Sequence, residues 1–357
     1  MKIFFATLHD PKFPMGGAEK VLLEMALALR FQKKHEVEVA VNPGDLSREL
    51  ESSHIPVIFL QRSKLRSFET LKSLRQAIDR FQPDVLHSHH RYLTFLASFF
   101  LKSRVKILHT EHVWRSDKML LFQSGHFVTA VSQGVGENLI KNYKLPRSRV
   151  RVIPNAVSVS PPHWDHVNQL KEKFRKSEEN SCLALFVGRL EIQKGLIYLL
   201  EALTALSPED QKKIRVLVAG DGSLNRELKK KAESLGLSGR VFFLGHVRPI
   251  ADYIALCDFL ILPSLWEGMP LVILEGAAVG LPAIATDIPG TRETILPGKT
   301  GLLVPAKDVP HLSSALAHWL NQPQEIKEMG LAAKKFVQEQ FSFAGMLNRY
   351  EEVYRAL

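Results

Sequence analysis

The sequence contains little cysteine and no long apolar run. Its two cysteines, Cys182 and Cys257, lie in apolar surroundings without the spacing of metal ligands. We therefore expect reduced, buried thiols in a cytoplasmic protein rather than disulfides. The most lipid-like stretch, Leu93 to Leu101, is far shorter than the roughly 20 residues that a membrane span needs. The apolar run at the N-terminus is too short for the core of a signal peptide, and it predicts a first, buried strand instead.

Acidic residues are fewer than basic ones, but this balance alone does not identify the binding partner. The chain has 47 Lys and Arg residues against 37 Asp and Glu residues, for a formal net charge of +10. Such a balance favours polyanionic partners, namely nucleic acid, anionic lipid or phosphorylated substrates. Much of the charge can equally lie on solvated surface, so it does not choose among these partners.

Short strand-like runs alternate with helical patterns through most of the 357 residues. The predicted strands of the first half are Ile3–Leu8, Glu36–Val41, Val57–Leu60, Asp84–Ser88, Lys106–His109 and Phe127–Val131. The alternation lapses after Asn155 and then resumes. The predicted strands of the second half are Leu183–Val187, Arg215–Ala219, Val241–Leu244, Phe259–Leu262 and Pro282–Thr286. This rhythm is typical of parallel sheets covered by helices on both faces.

The lapse divides the chain into two α/β domains, each a doubly wound parallel sheet. We predict an N-terminal domain over 1–160, a linker with one helix over 161–181 and a C-terminal domain over 182–340. A last helix at 341–357 can pack on either domain, crossing back to the N-terminal one in one case. Ligands of such sheets bind beyond the carboxyl ends of the strands, so we expect a cleft between the two domains.

The segment FVGRLEIQKG offers an anion site directly after a predicted strand. Gly188 ends the strand, Arg189 and Lys194 flank a turn, and Gly195 opens a helix. Two cations beside a helix N-terminus can bind a diphosphate, because the exposed N–H groups and the side-chain charges point together. A surface turn with solvated charges is the plainer interpretation of this segment taken alone.

The segment LVAGDGSLNREL carries an incomplete dinucleotide fingerprint. Gly220 and Gly222 match its beginning, but Asn225 stands where the third glycine belongs. The segment also lies deep in the chain, whereas the fingerprint normally opens the first βα turn of a domain. A tight glycine turn after a strand explains the segment better than NAD binding does.

Two glutamates lie eight positions apart in LWEGMPLVILEGAAVGLPAIA. Glu275 falls on a helix that begins near Pro270, and an ionised carboxylate there can accept hydrogen bonds from vicinal hydroxyls such as those of a ribose. Glu267 precedes the helix on a loop and can reach the hydroxyls of a second sugar. Either glutamate alone is explained equally well by a surface salt bridge.

Taken together, the motifs resemble the retaining nucleotide-sugar glycosyltransferases of family 4, which have the GT-B fold of two facing Rossmann-like domains. The matching stretches are MGGAEKVLLEMALAL, PDVLHSH, HTEH, AVSQGVGENL, VIPNAV, GRLEIQKG, AGDGSLNREL, FLGHV and EGMPLVILEGAAVGLPAIATDIPGTRE. They occur in the order and spacing of that family and cover essentially the whole chain. Each motif is weak alone, whereas nine in register are highly specific.

The resemblance implies a role for particular residues. Glu275 would hold the ribose of the donor, Glu267 the transferred sugar, and Arg189 with Lys194 the leaving diphosphate. His112 would lie by the reacting sugar. The implied catalytic residues are His112, Arg189, Lys194 and Glu267, and the implied donor-binding residues are Gly16, Gly17, Gly188, Arg189, Lys194, Gly245, His246, Val247, Glu267, Gly268, Met269, Pro270, Leu271 and Glu275.

The implied mechanism uses no metal. Another class of transferase anchors a metal with Asp-x-Asp, and that triplet is absent from the sequence. Retention is usually explained in the family by front-face attack, in which the leaving phosphate oxygen accepts the proton of the acceptor. The histidines His87, His89 and His90 at a strand end lack a neighbouring set of ligands, so we expect them to line a cleft rather than hold a metal. We expect His109 to be a strand residue.

Two departures from the family pattern leave the donor sugar open. Asn155-Ala156-Val157-Ser158 replaces the frequent Asn-Gly-x-Asp, and Met269-Pro270 replaces a commoner Phe-Gly, which removes one backbone amide from the sugar pocket. The expected partners are a nucleotide sugar and a glycan or lipid-linked acceptor of the cell envelope. Nucleic acid is not expected. An NAD(P)-dependent oxidoreductase and a non-catalytic nucleotide-sugar or nucleic-acid binder remain the alternatives.

A basic amphipathic helix is predicted between Arg62 and Arg80. Its apolar positions, Leu65, Phe68, Leu71, Leu74 and Ile78, recur at helical spacing. A helix docked on the sheet with a solvated basic face accounts for the pattern as well as a membrane contact does. Because Lys and Arg are attracted to anionic lipid, we expect peripheral binding at the inner face of the cell membrane.

Overall fold

The computed structural model describes residues 1–9, 14–60, 67–114, 127–158, 161–175 and 181–357. The chain divides into two compact units, Met1–Asn155 with Phe343–Leu357, and Ala156–Ser342. We call them the N-terminal unit and the C-terminal unit. The division falls after Asn155, whereas the sequence suggested a first domain reaching residue 160.

The N-terminal unit is built on a parallel sheet of seven strands in the order β3-β2-β1-β4-β5-β6-β7. Its strands are β1 Lys2–Ala6, β2 Glu36–Val41, β3 Val57–Phe59, β4 Val85–Ser88, β5 Lys106–Glu111, β6 Phe127–Ala130 and β7 Val150–Val152. Its first helices are α1 Gly17–Phe31, α2 Asp45–Ser52, α3 Ser67–Phe81, α4 Arg91–Phe100 and α5 Gln133–Lys141. Helices cover both faces, so the central strands β1 and β4 are almost wholly buried.

The C-terminal unit repeats this plan with six parallel strands in the order β10-β9-β8-β11-β12-β13. Its strands are β8 Cys182–Val187, β9 Ile214–Ala219, β10 Val241–Gly245, β11 Phe259–Leu262, β12 Ala283–Thr286 and β13 Gly301–Val304. Its helices are α6 Trp164–Arg175, α7 Leu196–Thr204, α8 Pro208–Lys212, α9 Asn225–Ser234, α10 Ile250–Leu256, α11 Leu271–Val279, α12 Pro289–Arg292, α13 Val309–Asn321 and α14 Pro323–Gln340. The prediction of two doubly wound, Rossmann-like parallel sheets is confirmed.

The last helix, α15 Phe343–Ala356, belongs to the N-terminal unit although the chain reaches it from the C-terminal unit. Its Tyr350 and Tyr354 are buried. The hydroxyl of Tyr354 lies 2.8 Å from Nδ1 of His87, and the Glu351 carboxylate lies 2.9 Å from Nε2 of His35. These polar contacts join the helix to the N-terminal unit, a placement that the sequence left open.

Three elements differ from the sequence prediction. The edge strands β7 and β13 were missed, because a short strand that pairs on one side only carries little apolar patterning. Helix α6, placed in a linker by the sequence, packs on the C-terminal unit through buried Val167, Leu170 and Phe174.

No helix in the described part of the chain is both long and apolar enough to span a bilayer.

Candidate functional site

The predicted diphosphate and sugar segments meet at the middle of the C-terminal sheet. Strands β8 and β11 are neighbours, with β9 and β10 on one side of them and β12 and β13 on the other. The chain passes from β8 to one side of the sheet and from β11 to the other. The carboxyl ends of these two central strands therefore form a topological switch point. Open α/β sheets bind ligands at such a point, beyond the carboxyl ends of the strands. The segments after β8 and β11 hold Arg189, Lys194 and Glu267.

Lys194 and Glu267 form an ion pair with each other. The Nζ atom of Lys194 lies 2.6 Å from Oε1 of Glu267, and the Ser264 hydroxyl donates to the same oxygen over 2.7 Å. The Glu267 side chain is nearly buried and Lys194 is half-buried. A buried carboxylate normally requires such a partner. Sequence reasoning assigned the two residues to different parts of the ligand and missed both this contact and Ser264.

The loop that carries Glu267 is fixed from two sides. The backbone N–H of Leu265 donates to the carbonyl of Gln193 over 2.7 Å, and the Gln193 amide donates to the carbonyl of Trp266 over 2.8 Å. On the other side the Thr286 hydroxyl, at the end of β12, donates to the carbonyl of Ser264. No sequence motif singled out Gln193 or Thr286, because each acts through a backbone atom distant in the chain.

Two glycines allow the turns at this edge to pack together. Gly195 has φ +63°, and a Cβ atom there would lie 2.0 Å from the carbonyl oxygen of Pro263. Gly220 has φ +147°, and its Cβ would lie 1.9 Å from the carbonyl oxygen of Gly188. Any side chain at either position would push apart the segments that bring Lys194 to Glu267.

Helix α11 places Glu275 in its second turn. The helix begins at Leu271 after Pro270, and its buried face is formed by Val272, Ile273 and Ala277. Glu275 lies off this face and is half-buried. Gly268, Met269 and Pro270 are buried in the approach to the helix, while Leu271 is half-buried.

Arg189 lies at the same edge with its side chain exposed. Hydrogen bonds from the backbone and hydroxyl of Ser223 lower the pKa of the Glu191 carboxyl, and the nearby charge of Arg189 lowers it further. In the described part of the chain, the Arg189 guanidinium has no ion pair or side-chain hydrogen bond. It is therefore a cation that a phosphate can reach without displacing a protein group.

The glycine turn after β9 is already satisfied by carboxylates of this chain. The backbone N–H of Ser223 donates to Glu191 over 2.9 Å, and the N–H of Gly222 donates to Asp221 over 2.7 Å. A dinucleotide would need such amide groups for its phosphates. Their occupation disfavours the oxidoreductase alternative.

The predicted base-binding stretch follows the edge strand β10. Gly245 has φ +70°, and its carbonyl accepts the N–H of Gly220 over 2.8 Å, so the stretch is tied to the turn after β9. His246 is exposed and accepts a hydrogen bond from Nε of Arg248 over 3.1 Å, while Val247 is half-buried against the core. Whether these residues bind a base stays a prediction.

In the N-terminal unit the predicted glycine pair opens helix α1. Gly16 is its N-cap, Gly17 is its first residue, and the Gly16 N–H donates to the Glu19 carboxylate over 3.1 Å. Glu19 also lies 3.5 Å from Nδ1 of His9. Burial opposes ionisation of Glu19, but the His9 side chain, a backbone hydrogen bond and the nearby His112 together lower the pKa of the carboxyl. The sequence did not single out His9 or Glu19.

His112 lies at the carboxyl edge of this sheet in contact with His89. Nε2 of His112 is 2.9 Å from Nδ1 of His89, and the ring of His89 lies between those of His87 and His112. Burial lowers the pKa of His112 to about 4 and holds the pKa of His89 well below its usual value, so both rings are neutral at pH 7.

The neighbouring polar residues of that edge contact other side chains of the same unit. His109 is a buried strand residue, as predicted, with Nδ1 2.8 Å from the Thr94 hydroxyl. Glu111 accepts a hydrogen bond from Nε of Arg91 over 2.6 Å. Within the described ranges, no three His, Cys, Asp or Glu residues are arranged to hold a metal ion.

Known proteins resemble both units. Residues 168–336 match the family model of glycosyl transferases group 1, and residues 15–160 match that of glycosyltransferase family 4. The chain is 27% identical over 296 residues to N-acetyl-alpha-D-glucosaminyl L-malate synthase of Bacillus anthracis, covering 79% of this chain and 77% of that enzyme. It is 24% identical over 364 residues to the UDP-Gal:alpha-D-GlcNAc-diphosphoundecaprenol alpha-1,3-galactosyltransferase of Escherichia coli, covering 95% and 94%.

Among solved structures, Anabaena HepE in complex with UDP-glucose superimposes with a TM-score of 0.87. The alignment covers 100% of both chains at 21% sequence identity. At this identity the likeness shows the fold, which is GT-B.

Proposed function

The chain belongs to the group 1, family 4 glycosyltransferases, whose two models match its two units, and from this premise we propose its reaction. It transfers a hexosyl or N-acetylhexosaminyl group from a nucleotide-diphosphate sugar to a glycan or lipid-linked acceptor of the cell envelope. The nucleotide we propose for the donor is UDP. The configuration of the transferred sugar is retained, and no metal is required.

The observation that carries this proposal is the cationic edge at the switch point of the C-terminal unit. Arg189 is exposed there, and Lys194 is held 2.6 Å from Glu267. A departing nucleoside diphosphate gains negative charge in the transition state, so cations fixed in advance stabilise it more than they stabilise the bound donor. The Glu267 carboxylate can accept hydrogen bonds from hydroxyls of the transferred sugar.

The remaining donor contacts follow the family pattern. We assign the ribose to Glu275, the base to Gly245-His246-Val247 and the diphosphate to Gly188 with the two cations. We assign the backbone turn of Gly268, Met269 and Leu271 to the transferred sugar, where Pro270 offers no N–H group. We further assign Gly16 and Gly17 to the approach of phosphate and acceptor, and His112 to the reacting sugar.

The proposed chemical step is front-face attack. The acceptor hydroxyl oxygen forms the new bond to the anomeric carbon on the side from which the phosphate departs. The bond between that carbon and the phosphate oxygen breaks, and the departing oxygen takes the acceptor's proton. Arg189 and Lys194 supply the positive charge that stabilises the leaving diphosphate, a task that a metal ion performs in other transferases.

Two observations support the proposed acceptor class: the name of a relative and the basic residues of helix α3. The Escherichia coli relative is named for a lipid-linked acceptor. Helix α3 carries Lys72, Arg75 and Arg80 on the N-terminal unit, with Phe68 78% exposed near its start. Arg62, Lys64 and Leu65 of the predicted basic helix lie outside the described residues. We propose peripheral contact with the inner face of an anionic membrane, and a cytoplasmic location.

The experiment that tests the proposal is a transfer assay with a panel of nucleotide sugars. Thermal shift identifies the donor, and mass spectrometry with proton NMR identifies the product and its anomeric configuration. An axial anomeric linkage from an axial donor supports the proposal. NADH binding, or salt-sensitive DNA binding without transfer, would instead support one of the two alternatives.

A further inference from the structure

The contact between His89 and His112 limits the hydrogen positions on both rings. A single hydrogen bond joins Nδ1 of His89 to Nε2 of His112 over 2.9 Å. A neutral imidazole carries one N–H and one bare nitrogen, so one ring donates and the other accepts. Two arrangements satisfy this rule. They differ in whether the opposite nitrogen of His112, Nδ1, carries a hydrogen.

The other nitrogen of His89 decides between them. Its Nε2 atom is buried and has no hydrogen-bond partner among the described residues. If His89 accepted from His112, that nitrogen would bear an N–H with no acceptor. Buried N–H groups without a partner are rarer than buried acceptors without one, because leaving a donor unsatisfied is costly. His89 therefore carries its hydrogen on Nδ1 and donates it to His112.

We propose that His89 is a positioning residue that holds His112 in the Nδ1–H form, so that His112 donates a hydrogen bond to a sugar oxygen and cannot act as a base. The identity of the acceptor atom as a sugar oxygen rests on the proposed function, whereas the hydrogen position does not. The accepting nitrogen of His112 is occupied by His89, and its donating nitrogen is the one left for a ligand.

The charged groups around the pair are bound elsewhere. Glu111 and Glu19 both raise the pKa of His112 and His109 lowers it, but burial dominates. Glu111 pairs with Arg91, and Glu19 with Gly16 and His9. Around His89 lie the uncharged rings of Phe5 and His87, and Nε2 of His87 faces the Thr110 hydroxyl. Among the described residues, no carboxylate forms an ion pair or hydrogen bond with His89 or His112.

The direct test is nitrogen NMR on the ¹⁵N-histidine-labelled full chain at pH 7. We expect the His112 shifts of a protonated Nδ1 and an unprotonated Nε2, with the same form for His89. A His112 signal typical of Nε2–H would overturn the proposal, whatever the activity of the enzyme. His112→Asn assigns the resonances.

Two variants separate positioning from packing. His89→Asn keeps an N–H donor near the position of Nδ1, whereas His89→Leu fills the space without one. We expect the Asn variant to preserve the His112 form and most activity. The Leu variant should release His112 to the Nε2–H form that free histidine favours and lower kcat by about tenfold, the effect of one lost hydrogen bond in the transition state.

The outcomes distinguish this inference from the proposed function. A chain that transfers no sugar but shows the Nδ1–H form refutes the function and leaves the positioning intact. An active chain in which His89→Leu and His89→Asn reduce kcat equally, with unchanged His112 shifts, contradicts the positioning alone.

Discussion

The carboxyl edges of the two parallel sheets differ in how they carry charge. In the C-terminal unit, Arg189 is exposed and Lys194 is held beside Glu267 at the meeting of two turns. In the N-terminal unit, the corresponding edge holds the neutral rings of His89 and His112, and its buried carboxylates are already paired. Similar sheets thus present a cationic edge in one unit and, in the other, an edge of neutral imidazole rings beside carboxylates that are already paired.

The difference matches two chemical tasks. A departing diphosphate needs fixed positive charge, whereas sugar hydroxyls need hydrogen-bond donors and acceptors whose protonation does not change near neutral pH. We therefore expect variants at the two edges to have different kinetic effects, beginning with the cation at the charged edge.

Replacing Lys194 by Ala should have the largest effect. It removes a cation from the leaving group and leaves Glu267 nearly buried beside Ser264 alone. We expect kcat to fall by about a hundredfold or more, with a smaller loss of donor affinity. Steady-state kinetics with calorimetry measures both. Lys327→Ala, on the exposed side of α14, is the matched control. Equal losses in kcat and affinity would show that Lys194 only binds the donor.

Replacing Glu275 by Ala should weaken donor binding without unfolding the chain. Each hydrogen bond to a charged group contributes about 1.5–3 kcal/mol, so we expect roughly a ten- to hundredfold increase in the Kd of the nucleotide sugar. Glu339→Ala, exposed on α14, removes the same charge away from the site. Unchanged affinity in the Glu275 variant would refute the ribose assignment.

Mild acid should destabilise the N-terminal unit first. His112 has a folded pKa of about 4, against about 6.5 unfolded, so the unfolded chain binds more protons between these values. Stability is therefore lost as the pH falls below 6.5, by about 2 kcal/mol at pH 5 from His112 alone. The lowered carboxyl pKa values of Asp210 and Asp252 in the C-terminal unit matter only in stronger acid.

Hydrogen exchange at pH 7 and pH 5, corrected for intrinsic rates, measures this difference between strands. We expect protection to fall in β4 and β5 and to persist in β8 and β11. His112→Asn should remove part of the pH dependence. Parallel losses in both sheets would contradict the assignment of the acid-sensitive groups to the N-terminal unit.

Binding to anionic liposomes should be weak and sensitive to salt. On helix α3, Arg80 is paired with Glu38 and Arg75 with Asp79, which leaves fewer cations for lipid than the sequence suggests. Each Lys or Arg near such a surface contributes about 1 kcal/mol. Co-sedimentation that stays at background in low salt, or that persists in high salt, would rule out electrostatic docking.

Chelation should have no effect. We expect the transfer rate in EDTA to equal the untreated rate, because Arg189 and Lys194 are assigned the stabilising charge. Strong inhibition that manganese reverses would show that a metal shares this task, and the difference between the two edges would then need another explanation.

The sequence predicted the fold well because buried parallel strands and their helices have distinct periods. It located the turns after β8 and β11, since Gly195 and the glutamates lie at fixed offsets from those strands. It missed the ion pair between Lys194 and Glu267, which are 73 residues apart, because a motif names residues without saying which of them touch. The same limit applies to His89 and His112, which are 23 residues apart and directly follow the neighbouring strands β4 and β5.

The placement of α15 illustrates a second limit. The sequence left open which domain this helix packs on, and in the structure its Tyr354 meets His87 and its Glu351 meets His35 of the N-terminal unit. Such polar pairs between distant segments have no local sequence pattern. Such contacts can be identified only from the three-dimensional arrangement of the segments.

The most direct test of the division between the cationic edge and the edge of neutral rings is calorimetry with UDP, combined with single-turnover transfer. Glu275→Ala should weaken UDP binding by at least about tenfold. His112→Asn should leave UDP binding unchanged and slow the transfer step, because its ring is assigned to the sugar. If His112→Asn weakens UDP binding as much as Glu275→Ala does, the two edges are not separate in function and the account is wrong.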